Sequence, residues 1–253
     1  MRVASYWSLA SDWRAGVQQS EVGRDGTADV VDCADAIAAS GGAETAVTVR
    51  ELLASSVLGE QLACAVAAAA EAGRVISRAA IRPPVPDPDK ILCIGVNYSD
   101  HGDEADMAVP VAPNVFAKFQ NSLIGPRDTI VLPAASDRVD YEGELAVVIG
   151  RTCRHVTPEA AMDYVAGAFP LNDVGARDLQ LQVSQWTTGK AIDTFAPCGP
   201  ELVLLDEAGD LGGLTLITRV NGEVVQHAST ASMIFGVRDG GPPRAVPDMV
   251  GLL

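Results

Sequence analysis

The chain has 253 residues, 48% of them hydrophobic, with 24 glycines and 15 prolines; this excludes a disordered or fibrous protein and allows a sizeable core in one or two domains. A formal net charge of −15, from 33 acidic and 18 basic side chains, repels phosphate backbones and anionic lipid, so neither nucleic acid nor a membrane surface is an expected partner. Five scattered cysteines (Cys33, Cys64, Cys93, Cys153, Cys198) without a Cys-x-x-Cys pair read as reduced, mostly buried thiols, and no apolar signal core stands in residues 1–16, so a cytoplasmic protein is expected.

Residues 1–80 read as a small α/β unit: a strand near Val3 to Trp7, an irregular polar stretch, then two helices. Thr48 and Glu51 are spaced as a capping box for the first helix. The second, Gln61 to Ala72, is alanine-rich and stops at Gly73; its apolar run Leu62 to Ala70 is far short of the ~20 residues that span a bilayer. Four prolines between Ile81 and Pro88 make residues 81–89 an extended linker. A second unit covers 90–253. Its first strand, Ile91 to Val96, leads to Ser99-Asp-His101-Gly-Asp-Glu104. If Ser99 caps a helical turn, His101 and Glu104 share one face as a dyad in which the carboxylate orients the imidazole and the imidazole deprotonates water. The plain alternative is a surface histidine near acids. Strands are expected at Val115 to Phe119 and Thr129 to Leu132, on either side of a turn at 125–128.

The stretch from Asp140 to Gly150 carries the chemistry. Alternation along a strand points Glu142 and Glu144 to the same side, ahead of the short β-branched run Leu145 to Ile149, which reads as buried. Paired carboxylates repel unless one is protonated or a cation lies between them. Asp173, straight after another apolar segment, adds a third, and three carboxylates without His or Cys select Mg²⁺ or Mn²⁺ over Zn²⁺. The alternative is a solvated strand end and a loop acid. Thr157-Pro158-Glu159 opens a helix expected to reach Gly167, with a structural His155 before it. Leu202 to Leu205 and Leu214 to Val220 read as strands, and Asn221-Gly222 as a hairpin turn into Glu223 to Gln226; His227 has no assigned partner.

The strings Ile94-Gly-Val-Asn-Tyr-Ser-Asp-His101, Phe116-Ala-Lys118, Ser122-Leu-Ile-Gly-Pro126, Asp140-Tyr-Glu-Gly-Glu-Leu-Ala-Val147, Asn172-Asp-Val-Gly-Ala-Arg-Asp178, Gly189-Lys190 and Asp193-Thr-Phe-Ala-Pro197 together resemble the fumarylacetoacetate hydrolase family over about residues 90–237. The resemblance implies an α/β fold with a mixed β-roll catalytic domain behind the small N-terminal domain, and Mg²⁺ or Mn²⁺ held by Glu142, Glu144 and Asp173. It implies a lid at His101 and Glu104, and Arg177, Gln180 and Lys190 facing the ligand, a small 2-oxo or β-diketo acid. Catalysis would then fall to His101, Glu104 and Lys190, with Arg177 pairing a substrate carboxylate or, alternatively, bracing the site through Asp173 or Asp178. Lys190 as a plain surface residue is the alternative for that position. The expected activity is hydrolysis of a C–C bond in an acylpyruvate-like acid; decarboxylation or isomerisation of a 2-oxo or 2-hydroxy-diene dicarboxylate is the runner-up. The resemblance also implies a homodimer. After Val237 it stops: Arg238-Asp-Gly-Gly-Pro-Pro to Leu253 cannot build an apolar helix. A frameshift or truncation is the expectation there, which leaves open an inactive metal-binding remnant.

Overall fold

The computed structural model describes residues 1–42, 47–55, 58–99 and 110–236. The expected lid residues His101 and Glu104, and the tail after Val237 for which a frameshift or truncation is expected, lie outside the described residues.

The first 82 residues contain β1 (Arg2–Trp7), β2 (Trp13–Gln18), β3 (Thr27–Asp32), α1 (Cys33–Ala39), α2 (Val49–Ala54), α3 (Glu60–Glu71) and β4 (Ile76–Arg82). β1 pairs with both β2 and β4, and β3 pairs with both β2 and β4, so the four strands close on themselves. Alternation sends Ala4 and Tyr6 of β1 inward with Ala28, Val30, Ala79 and Ile81, while Val3 faces the helices. The Thr48–Glu51 capping box is present in both directions. The expected irregular polar stretch is replaced by β2, β3 and α1. Their pairing is set by partners distant in sequence, and the run Trp13-Arg-Ala-Gly-Val-Gln18 carries only a faint alternation of its own.

Next come β5 (Ile91–Gly95), β6 (Asn114–Lys118), β7 (Leu123–Ile124), β8 (Val139–Asp140), β9 (Gly143–Ile149), β10 (Val165–Asn172) and β11 (Gly175–Ala176). Two short helices follow, α4 (Arg177–Gln180) and α5 (Thr187–Lys190), then β12 (Ala196–Pro197), β13 (Leu202–Leu204), α6 (Leu205–Ala208), β14 (Thr215–Val220) and β15 (Glu223–Ser229). The main sheet has the order β2-β3-β4-β1-β13-β10-β9. The start of β1 pairs with β13, so strands from both halves of the chain share one sheet, and one core cluster joins Val3, Leu52 and Leu62 to Phe169, Leu202 and Leu204. The architecture is the mixed α/β one expected.

Several expectations need correction. Leu145 to Ile149 is a strand but every residue of it is only partly buried, because β9 is the sheet's edge. Thr129 to Leu132 is not a strand: Val131 donates its amide to the Thr194 side chain, and Val131 and Leu132 are exposed. The helix from Pro158 is a 3₁₀ segment ending at Tyr164, because Val165 pairs with Ile149 and opens β10 instead. Of the cysteines, which form no disulfide, only Cys33 and Cys198 are buried and Cys64 is exposed. Among the described residues no helix is long and apolar enough to cross a membrane.

At the end of β3, Asp32 is buried and accepts from the Tyr6 hydroxyl (2.6 Å), Arg14 Nε (2.5 Å), Arg14 Nη2 (2.8 Å) and the Asp35 amide (2.8 Å). Burial alone would raise its carboxyl, but the Arg14 and Tyr6 hydrogen bonds outweigh it and hold the group below the ordinary aspartate value. A depressed folded value gives stability that is present at neutral pH and lost as pH falls through it. Asp32→Asn should therefore cost about 3–5 kcal/mol at neutral pH. The gap in Tm from the parent should narrow as pH falls from neutral to below the ordinary aspartate range. A gap that stays constant over that range would refute the assignment.

Candidate metal and substrate site

The pairing of β9 with β10 sets the acids. Glu144 lies opposite Leu171 and Gly143 opposite Asn172, and the ladder continues as Asp173 donates its amide to the Glu142 carbonyl (2.7 Å). The Asn172 side chain accepts from the Glu142 amide (3.0 Å). This register puts Glu142, Glu144 and Asp173 at one end of two adjacent strands.

Two buried lysines meet Asp173. Lys190 ends α5, where the turn comes so close to α4 that a Cβ on Gly189 would stand 2.7 Å from the Ala176 carbonyl and the Gln180 amide. Its Nζ donates to Glu142 Oε2 (2.5 Å), Asp173 Oδ2 (2.9 Å) and the Asp173 carbonyl (3.0 Å), which uses all three protons. With 1% exposure it is no surface lysine. Lys118, at the end of β6, spends its protons on Asp173 Oδ1 (2.6 Å), the Val174 carbonyl (3.0 Å) and the Lys190 carbonyl (2.5 Å). Burial pulls its ammonium below the ordinary lysine value, against Asp173, which favours the charge. Sequence reasoning gave Lys118 no role, although Phe116 and Lys118 two apart on a strand share a face; the Lys190 ammonium lies 5.5 Å above the Phe116 ring centroid.

Arg177, at the start of α4, pairs through Nε with Asp140 Oδ2 (3.1 Å) and through Nη1 with Glu142 Oε1. It braces the site, but through Glu142 and Asp140 rather than Asp173 or Asp178; Asp178 accepts instead from the Ser136 hydroxyl (2.5 Å). Gln180 is buried and accepts from Arg177 at 3.4 Å. Arg177, Gln180 and Lys190 all line a groove of about 1740 Å³ that runs past the acids. Ligand pockets are typically about 300–1,000 Å³, so a small acid would fill only part of it.

Glu144 is the group under most strain. Burial first, then the charges of Glu142 and Asp173, push its carboxyl up to about 8, against the pull of Lys190. Tyr98, nearly fully buried, is close enough to Glu144 for each to shift the other, although among the described residues its hydroxyl has no partner in full hydrogen-bonding geometry. Three crowded carboxylates, one of them held well above the ordinary glutamate value by burial and by its neighbours, are chemically suited to a hard divalent cation. Among the described residues no three acid, histidine or cysteine side chains already close around a single point, and Lys190 Nζ stands between Glu142 and Asp173.

Fold and site together define a known class. The chain belongs to the fumarylacetoacetate hydrolase family, whose C-terminal domain description matches residues 90–239. Oxaloacetate tautomerase Fahd2a, mitochondrial, of Rattus norvegicus is 46% identical over 157 residues, covering 62% of this chain and 50% of that protein. The chain thus spans about half the length of such a relative. Among solved structures, 2-hydroxyhepta-2,4-diene-1,7-dioate isomerase from Mycobacterium marinum matches at 31% identity and a TM-score of 0.67, over 94% of this chain and 78% of that one. Maleylpyruvate hydrolase from Sphingobium sp. SYK-6, in complex with manganese(II) ion and pyruvate, matches at 29% identity and a TM-score of 0.68, over 100% and 82%. The relatives thus include a tautomerase, an isomerase and a hydrolase.

The contact at Gly189 gives a direct test. Gly189→Ala forces a methyl group against the backbone of Ala176 and Gln180 and should cost about 1–3 kcal/mol in urea unfolding. Gly213→Ala, with no atom within 4 Å of the added Cβ, is the control and should stay within about 0.5 kcal/mol of the parent. Equal effects would mean that α5 is not packed as described.

Proposed function

We propose that the protein is a divalent-metal-dependent enzyme acting on a small 2-oxo acid, and that its reaction is a proton transfer beside the keto group, the tautomerisation or isomerisation of a 2-oxo dicarboxylate. The observation that carries this reading is the acid cluster itself: Glu142, Glu144 and Asp173 stand together at the end of two paired strands, and burial together with the charges of Glu142 and Asp173 holds Glu144 up to about 8 even with Lys190 among them. These three would hold Mg²⁺ or Mn²⁺, which when bound polarises a keto oxygen as a Lewis acid.

The chain's own groups do the rest. Arg177 is positioned to exchange part of its pairing with Asp140 and Glu142 for a substrate carboxylate, and Gln180 steadies the guanidinium. Lys190 Nζ lies against Glu142 and Asp173 in the lining of the groove and is the group that would pass a proton to the substrate. Proton transfer is favoured over hydrolysis because a relative 46% identical over 157 residues is an oxaloacetate tautomerase. Hydrolysis of an acylpyruvate is the second reading, supported by the maleylpyruvate hydrolase likeness; it needs His101 and Glu104 to activate water. Five free thiols suit a reducing cytosolic compartment, and the open edge of β9 suits burial in a homodimer.

Calorimetric titration with Mn²⁺ tests the site. Alanine at Glu142, Glu144 or Asp173 should each weaken binding at least about tenfold. Binding that survives Glu142→Ala unchanged would reject the site. With Mg²⁺ present, faster keto–enol equilibration of oxaloacetate without new carboxylic acid products supports tautomerisation, whereas cleavage of an acylpyruvate supports the second reading.

A further inference from the structure

The two glutamates flank Gly143, the first residue of an edge strand, and no neighbouring strand pairs with that edge of β9. A single side chain takes the place of the missing strand. Gln226 of β15 accepts from the Gly143 amide at Oε1 (2.8 Å) and donates from Nε2 to the Gly143 carbonyl (2.9 Å). A carboxamide has the same donor and acceptor as a peptide, so it completes both hydrogen bonds of one residue as a strand would. The orientation of the amide is itself fixed. Thr218, directly across the hairpin from Gln226, donates its hydroxyl to the same Oε1 (2.8 Å). The approach is tight: a Cβ on Gly143 would stand 2.9 Å from Gln226 Oε1 and closer still to the Thr218 hydroxyl, so only glycine allows it. On the other side Gly143 is held by its ladder with Asn172.

We propose that Gln226 is a positioning residue for the acid pair: by clamping the Gly143 peptide it fixes the separation and direction of Glu142 and Glu144, and so sets the affinity of the cluster for a divalent cation. The proposal rests on the metal-site reading above, but the clamp itself does not. Gln226 touches neither carboxylate, and its effect passes through one peptide unit. A purely structural Gln226 would only anchor the β14–β15 hairpin. The two roles separate because the hairpin can be weakened elsewhere: Asn221 adopts φ 52° in the turn, a conformation that asparagine tolerates and alanine does not, and it is remote from Gly143 in the hairpin.

The experiment compares Gln226→Met, which keeps length and loses both hydrogen bonds, with Asn221→Ala. Both are titrated with Mn²⁺ well below their Tm, and amide hydrogen exchange at Gly143 is followed without metal. Gln226→Met should weaken Mn²⁺ binding by about 10–100-fold, the usual range for groups that orient metal ligands. Asn221→Ala should lower Tm but leave Mn²⁺ affinity within twofold of the parent, about the precision of such a comparison. Affinity within twofold for Gln226→Met, or an equal loss in both variants, overturns the proposal. If the parent binds no Mn²⁺, the metal-site reading fails instead, and exchange decides on Gln226: lost protection at Gly143 in Gln226→Met upholds the clamp, and unchanged protection removes it.

Discussion

Asp173 held between two buried lysines is the interaction on which the rest of the site depends. A buried carboxylate with no partner would take up a proton or turn away, and a buried ammonium would lose one or turn away. Here one carboxylate takes Lys118 on Oδ1 and Lys190 on Oδ2, and each lysine completes its hydrogen bonds with backbone carbonyls. The arrangement ties β6, the end of β10 and α5 together at a single point. It leaves Glu142 shared between Lys190 and Arg177, and Glu144 without an ion-pair partner among the described residues. An anionic chain thereby gathers its scarce cations exactly where an acid substrate would need them, offsetting locally a field that overall repels such a ligand.

Legibility followed how local each cause was. The capping box at Thr48 and the hairpin at Asn221-Gly222 were visible because a few adjacent residues fix the geometry, and both are present. The position of Glu142 and Glu144 near Asp173 was visible because alternation and motif order point to it. β2 and β3 were not visible, since their identity comes from closing a ring with β1 and β4. Residues 129–132 look like a strand by composition yet have no neighbour to pair with, so packing and not propensity settled them.

Side-chain roles were less legible than backbone. Lysine is read from sequence as a surface residue, which hid Lys118, and only its place two residues after Phe116 on one strand face could have exposed it. Arg177 was expected at the site, but its choice of Asp140 and Glu142 over two closer acids in sequence depends on the turn of α4, which no spacing rule fixes. Gln226 was equally hidden, because a glutamine that stands in for a strand looks like any polar residue in a hairpin.

The pairing of β1 with β13 has its own consequence. Residues 2 and 3 form ladder contacts with 203 and 202, and the same β13 pairs with β10, the strand that ends at Asn172 just before Asp173. The opening residues of the chain are therefore part of the wall behind the acids rather than an appendage to it. Loosening the first strand would free an edge two ladders away from the site, which couples the amino-terminal strands to the sheet that carries the acids.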